Sequence, residues 1–228
     1  MARELAVFLH GLGQTPQAWQ DQVKDLPSDL PAAAPWLRGL RPGSPHRFSL
    51  RDSAAEVSSA LTMHGADRAY LIGVSLGAMV AMQAALDDDR VAGVVLAAAQ
   101  VSPPKWAMKA QGVALKLASR RRLADRGLDK TAMQEVFGAL ADTDFSDRLG
   151  ELRIPTLVLC GANDRVNQPA SRRIADEVPG ARLELIAGGH QLNEDNPGDF
   201  NRLTYEFIAG LRPGEGPDVR PIERPHDG

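Results

Sequence analysis

A serine set between glycines, Gly73-Val74-Ser75-Leu76-Gly77, stands directly between an apolar run, Ala69 to Gly73, and an alanine-rich segment, Leu76 to Leu86. A strand-to-helix junction of this kind forces a tight turn that lifts the hydroxyl off the sheet edge. The glycines are needed because side chains there would collide with the neighbouring strand and helix. The helix that follows aims its N-terminal N–H groups and positive dipole end at the place where an oxyanion would form. A serine hydroxyl is a weak nucleophile at neutral pH, so this chemistry also needs a base and a group to hold that base. His190, in Ala187-Gly188-Gly189-His190 just after the last apolar run, is expected as the base. Asp164, in Gly161-Ala162-Asn163-Asp164-Arg165-Val166 after the preceding run, is expected as the acid. A carboxylate on one imidazole nitrogen selects the tautomer whose other nitrogen can take the serine proton, and it stabilises the imidazolium that follows.

Each assignment has a plainer competitor. The pentapeptide could be chance in a chain with 21 glycines, and Asp164 could cap the next helix or pair with Arg165. Asn163 and Asp176 are poorer candidates for the acid, while His64 at a helix end, His46 in a polar loop and His226 near the terminus suit no catalytic role. The order nucleophile, acid, histidine along the chain favours the three residues together. An oxyanion hole needs two backbone donors, expected at the N–H groups of Leu76 and of Leu12, the latter in His10-Gly11-Leu12-Gly13 after the first apolar run. Gly11 is expected to allow close approach of substrate, and His10 to serve structurally.

These residues must be carried by a scaffold. Short apolar runs alternate with longer amphipathic segments, the pattern of a parallel sheet with crossover helices. Six strands are expected, near Leu5–Leu9, Leu30–Pro35, Ala69–Gly73, Val91–Leu96, Thr156–Cys160 and Arg182–Ile186. Helices are expected near Pro16–Leu26, Asp52–His64, Leu76–Leu86, Gln168–Glu177 and Asn196–Leu211, with Pro197 at a first turn and Gly65 after a last one. All three chemical groups then fall at the carboxyl edge of the sheet. Residues 1–100 and 154–211 read as one core domain. Val101 to Arg153 reads as a helical cap insertion, with a second helix over Asp129 to Ala141. In its first helix Trp106 shares a face with Val113 and Leu117, so it either meets substrate or seats the cap, and Lys105, Lys109, Lys116 and Arg120 form a basic stripe that reads as a solvated face. Residues 212–228, with four prolines among charges, read as a disordered tail.

On these motifs the chain resembles the α/β-hydrolase superfamily, particularly its small bacterial esterase- and lactonase-like members, over nearly all of Glu4 to Leu211. Leu9 to Gly13 looks like the family's oxyanion motif, Ala34 to Gly39 like the segment after the second strand, and Gly73 to Gly77 like its nucleophile elbow. Pro155 to Val166 looks like the acid strand and loop, and Gly188-Gly189-His190 is similar to the histidine loop. The resemblance implies an α/β-hydrolase fold with a triad of Ser75, Asp164 and His190. It also implies three departures. The N-terminal strand hairpin is missing, Ala78 replaces a common glycine, and Met79 and Val80 stand where menaquinone-pathway lyases carry an arginine.

Composition bounds the partners. Lys plus Arg is 26 against 29 for Asp plus Glu, a net charge of −3, which leaves no field for nucleic acid or an anionic membrane. Cys160 is the single cysteine, so neither an internal disulfide nor a Cys-rich metal site is available, and a reducing cytoplasmic setting fits. The run Leu5 to Leu9 is too short for a signal-peptide core or a membrane span. The expected activity is hydrolysis of small carboxylic esters, thioesters or lactones through an acyl-enzyme, with no cofactor and no metal. Hydrolysis or elimination at a C–C bond on the same triad, and a non-catalytic member that keeps the pocket, stay open as alternatives.

Overall fold

A computed structural model of the chain describes residues 2–103, 108–109, 112–113, 115 and 129–212. Its centre is a six-stranded parallel sheet of β1 (Glu4–Leu9), β2 (Ala32–Ala33), β3 (Arg68–Val74), β4 (Val91–Ala97), β5 (Thr156–Gly161) and β6 (Arg182–Ile186), in the order β2-β1-β3-β4-β5-β6. The strands alternate their side chains between two cores. Leu5, Val7 and Leu9 enter one apolar cluster with Leu71 and Val158, while Ala6 and Phe8 enter the other with Ile72, Leu157 and Leu159. Each such fully buried large aliphatic or aromatic side chain contributes roughly 1.5–3 kcal/mol of transfer free energy.

Helices α2 (Leu50–Met63), α3 (Leu76–Asp87) and α5 (Gln168–Glu177) cover the first face, through residues such as Val57, Leu61, Val80 and Ile174. The other face is covered by a 3-10 turn at Pro16–Trp19 and α7 (Pro197–Ala209), through Trp19, Phe200 and Ile208. The expected elements are present with small shifts. The segment expected as one helix from Pro16 to Leu26 is that 3-10 turn followed by α1 (Gln20–Asp25). α2 begins earlier than expected because the Ser49 hydroxyl caps it, accepting from Asp52 N–H at 3.3 Å. β2 shrinks to two residues at the sheet edge, where Pro31 and Pro35 bracket it and lack N–H donors. α7 carries Pro197 in its first turn and Asn196 as its cap, and a short helix not foreseen, α6 (Leu192–Asp195), precedes it.

Between β4 and β5, α4 (Lys130–Ala141) starts at Asp129, whose carboxylate accepts from Ala132 N–H at 2.8 Å. Its Val136 and Leu140, with Phe145, Leu149 and Leu152, join the same cluster as Leu96 and Val158, so this segment is continuous with the sheet core. Trp106, Lys105, Lys116 and Arg120 lie outside the described residues; Lys109 is described and exposed. Arg212, expected to open a free tail, is instead docked. Its guanidinium pairs with Glu4 at 2.8 Å and Asp29 at 2.7 Å, and residues 213–228 lie outside the described ones. Among the described residues no helix is long and apolar enough to cross a membrane.

The chain runs from β1 outward to β2, then returns across β1 to β3 and on to β6, so the strand order reverses beside β1. Such a reversal opens a crevice at the carboxyl ends of the strands. The loop after β1 and the turn after β3 both end there.

Candidate active site

Ser75 occupies the turn between β3 and α3 with φ 54° and ψ −112°. For a residue with a side chain this is a sparsely populated region, worth roughly 1–3 kcal/mol of strain that the surroundings must hold. They do so through close approach. A Cβ on Gly73 would lie 2.4 Å from the Gly77 carbonyl, and one on Gly77 would lie 1.9 Å from the Leu9 carbonyl oxygen at the end of β1. The glycines therefore let α3 press against β1 and β3, as the sequence required. Ser75 N–H donates to Ala97 O at 2.8 Å, tying the turn to β4.

His190 Nε2 lies 3.0 Å from Ser75 Oγ, and its Nδ1 lies 2.9 Å from Asp164 Oδ2. The imidazole is 47% exposed and the carboxylate 6%, so the carboxylate is shielded while the ring is open to the cavity it lines. The histidine loop is pinned by Gly189 N–H donating to Asp195 Oδ2 at 2.7 Å and by Asn163 N–H donating to Gly188 O at 3.0 Å. Asp164 neither caps α5 nor turns to Arg165. Its oxygens accept from Asn167 Nδ2 at 2.8 and 2.7 Å, besides facing His190.

Leu12 and Leu76 line the same cavity as Ser75 and His190. Among the described residues neither N–H has a hydrogen-bond partner; the Leu76 N–H opens α3, where no intrahelical acceptor exists. Gly11 is placed differently from expectation. It is not among the described residues lining the cavity, and its N–H donates to Gln14 Oε1 at 2.9 Å, a contact that shapes the loop. The Gln14 amide in turn donates to Glu194 Oε1 at 2.7 Å, which couples the loop after β1 to the helix after His190. His10 is structural, as expected. Leu37 N–H donates to its Nε2 at 3.2 Å, its Nδ1 faces Gly11 O at 3.0 Å, and burial holds its pKa below the usual range, favouring the neutral ring these contacts need. Of the other histidines, His46 lies beside Arg38 and His64 follows α2, both away from the cavity.

The cavity holds about 650 Å³, within the ordinary range for small ligands. Met79, Met133, Phe137 and Leu140 give it apolar walls, and no Lys, Arg, Asp or Glu is among its described lining residues. Two residues at the site went unread in the sequence, Asn167 and Gln100. Asn167 stands just before α5, where asparagine is ordinarily a helix cap, yet its side chain caps nothing and turns to Asp164. The Asp164-x-x-Asn167 spacing was the available signal. Gln100, after β4, donates from Nε2 to Asn167 Oδ1 and borders the cavity.

The description "Alpha/beta hydrolase family" belongs to the family whose profile matches residues 6–203. A protein described as a candidate carbamate hydrolase, RutD, of Cronobacter turicensis is 25% identical over 247 residues, covering 91% of each chain. The crystal structure of a hydrolase from Pseudomonas aeruginosa PA01 superposes with a TM-score of 0.81 at 23% identity, over 90% of each chain. That of the enol-lactonase from Burkholderia xenovorans LB400 gives 0.82 at 18% identity, over 91% of this chain and 92% of its own. The two structural likenesses speak to the fold, whereas the profile spans most of the sequence, and the chain belongs to the alpha/beta hydrolase family.

Proposed function

We propose that the protein is a serine hydrolase of small, uncharged carboxylic esters, thioesters or lactones, acting in the cytoplasm without metal or cofactor. Ser75 Oγ attacks the carbonyl carbon as its proton passes to His190 Nε2, and the Asp164 carboxylate holds the Nδ1–H and stabilises the imidazolium. The oxyanion of the tetrahedral intermediate accepts from the N–H groups of Leu12 and Leu76. Collapse expels the alcohol or thiol, which takes the proton back from His190. Water then attacks the acyl-enzyme with the same base, releasing the acid and restoring Ser75.

The observation that carries this reading is the continuous line from Asp164 through His190 to Ser75, with 2.9 and 3.0 Å separations, ending in a cavity beside two N–H groups that have no partner among the described residues. α4 acts as the roof, since its Met133, Phe137 and Leu140 line the cavity above the site. The lack of charged lining among the described residues favours uncharged substrates, because nothing there offsets the desolvation of an ion. Carbamates form a second reading, favoured by the similarity to the RutD protein over 91% of each chain. A neutral carbamate ester presents the same carbonyl to the same groups.

Labelling with a fluorophosphonate probe, followed by a screen of nitrophenyl esters, thioesters, lactones and carbamates, tests the proposal. Modification of Ser75 with turnover of at least one acyl ester is expected. A folded protein that takes no label and cleaves no ester refutes it.

A further inference from the structure

Asp164, as a carboxylate, can only accept hydrogen bonds, and this one fact sets the direction of every amide that follows. Asn167 must present its NH2 to Asp164, and its Nδ2 lies 2.8 and 2.7 Å from the two oxygens. Its Oδ1 is thereby turned the other way, toward Gln100. That oxygen needs a donor, so Gln100 must present its own NH2, which leaves Gln100 Oε1 over. Among the described residues Gln100 Oε1 accepts nothing, and Gln100 borders the cavity, one strand across from the elbow, in a mainly apolar lining whose other polar side chains are Ser75, Ser102, Asn167 and His190. An inverted amide at either position would set oxygen against oxygen, so the orientation follows from chemistry and not from a choice of rotamer.

We propose that Gln100 is a specificity-determining residue whose Oε1 accepts a hydrogen bond from an O–H or N–H group on the carbon chain of the substrate. The inference rests on the hydrolase reading above and narrows it to uncharged acyl compounds that carry such a donor. An acceptor held in a fixed direction favours the donor-bearing substrate and penalises its capped analogue, which leaves the oxygen unpaired. Asn167 acts through Gln100 as a positioning residue, since it fixes which end of the amide meets the cavity.

The experiment compares methyl esters of the α-, β- and ω-hydroxy derivatives of hexanoic acid, each beside its O-methyl ether, which keeps the oxygen but removes the donor. Acid release is followed at constant pH in the unaltered protein and in Gln100→Met. At least one hydroxy ester should exceed its ether by about ten-fold in kcat/KM, as one half-buried hydrogen bond would give. The ratio should fall to near one in Gln100→Met. Ratios near one for every pair in the unaltered protein overturn the assignment while leaving the hydrolase reading intact, and so does a preference that survives Gln100→Met. Failure to cleave any ester, including plain methyl hexanoate, overturns both.

Discussion

Asn167→Leu is the substitution that most directly tests how the site is held. Leucine has the same γ-branched outline as asparagine and is somewhat bulkier, so Asn167, 6% exposed, can be replaced without opening a cavity. What is removed is the donor to both oxygens of a carboxylate that is itself 6% exposed at its side chain. A hydrogen bond to a charged group contributes about 1.5–3 kcal/mol net, and leaving a buried acceptor without a donor costs a similar amount. Asp164 keeps its contact with His190 and can rotate toward it, so the loss in the folded state should sit near the lower end. If the part that orients the imidazole is felt mainly in the transition state, kcat should fall by about ten- to a hundred-fold, since each decade corresponds to about 1.4 kcal/mol. KM for a nitrophenyl ester without a hydroxyl donor should move less than kcat, because Asn167 is one lining residue among many and such a substrate makes no use of the Gln100 amide that Asn167 orients. Asn167→Ser retains a hydroxyl donor and should recover part of the loss. Steady-state kinetics on a nitrophenyl ester, alongside thermal melting, gives both numbers. A folded Asn167→Leu protein with kcat within two-fold of the parent would refute the idea that this amide holds the acid.

Ser75→Ala should lower ester turnover by about four to six orders of magnitude with the melting temperature nearly unchanged, and Ser75→Ala/His190→Ala should lose little more, because the residues act as a unit. Asp88, in the turn after α3, is held at a pKa of about 2 by hydrogen bonds from Arg90, against 3.8 for the free side chain. A lowered carboxylate pKa stabilises the fold fully above the unfolded value and loses that contribution as pH falls toward the folded one. Asp88→Asn should therefore cost about 2 kcal/mol near neutral pH, a melting shift of roughly 4–8 °C, with the gap closing below about pH 4; a gap that is constant from pH 7 to pH 3 would contradict it. A nitrophenyl ester series should peak between acetyl and hexanoyl, since each buried methylene adds up to about 0.8 kcal/mol until the chain meets α4. A maximum at the longest chains, or activation above the solubility limit, would show that residues 101–153 open as a lid.

The elements most legible in the sequence are those whose pattern has a single physical cause. β1, β3, β4 and β5 are short apolar runs because both faces of the sheet are covered, and they lie within one or two residues of expectation. The elbow was legible because no side chain fits at Gly73 or Gly77. β2 was overread because an apolar run at an edge, bracketed by prolines, looks like an interior strand when its neighbours are unknown. Gly11 was overread for a related reason. A glycine after the first strand permits close approach by anything, and the partner that arrives is Gln14. Gln14, Asn167 and Gln100 left little trace, because a polar side chain in a loop gives no periodicity and its partners lie far along the chain.

Those unread amides share a property that bears on how the site stays assembled. Ser75, Asp164 and His190 each sit on a different loop, and no single element fixes their spacing. Loops on their own would let a 3.0 Å contact drift, and an ångström of misplacement can cost about a hundred-fold in rate. Side-chain amides can prevent this because each offers one donor end and one acceptor end, so a charged or backbone group at one side dictates what the other side must meet. At Gln14 the Gly11 N–H takes the oxygen and the Glu194 carboxylate takes the nitrogen, which locks the oxyanion loop to the helix after His190. At Asn167 the Asp164 carboxylate takes the nitrogen and Gln100 takes the oxygen, which locks the acid loop to the end of β4. Both bridges have their polarity set by a carboxylate, so neither can invert without placing two acceptors in contact. The first bridge closes on protein at both ends. The second leaves Gln100 Oε1 without a donor among the described residues, on a side chain that borders the cavity, which is why the proposed reading of a substrate donor falls to Gln100 rather than Gln14.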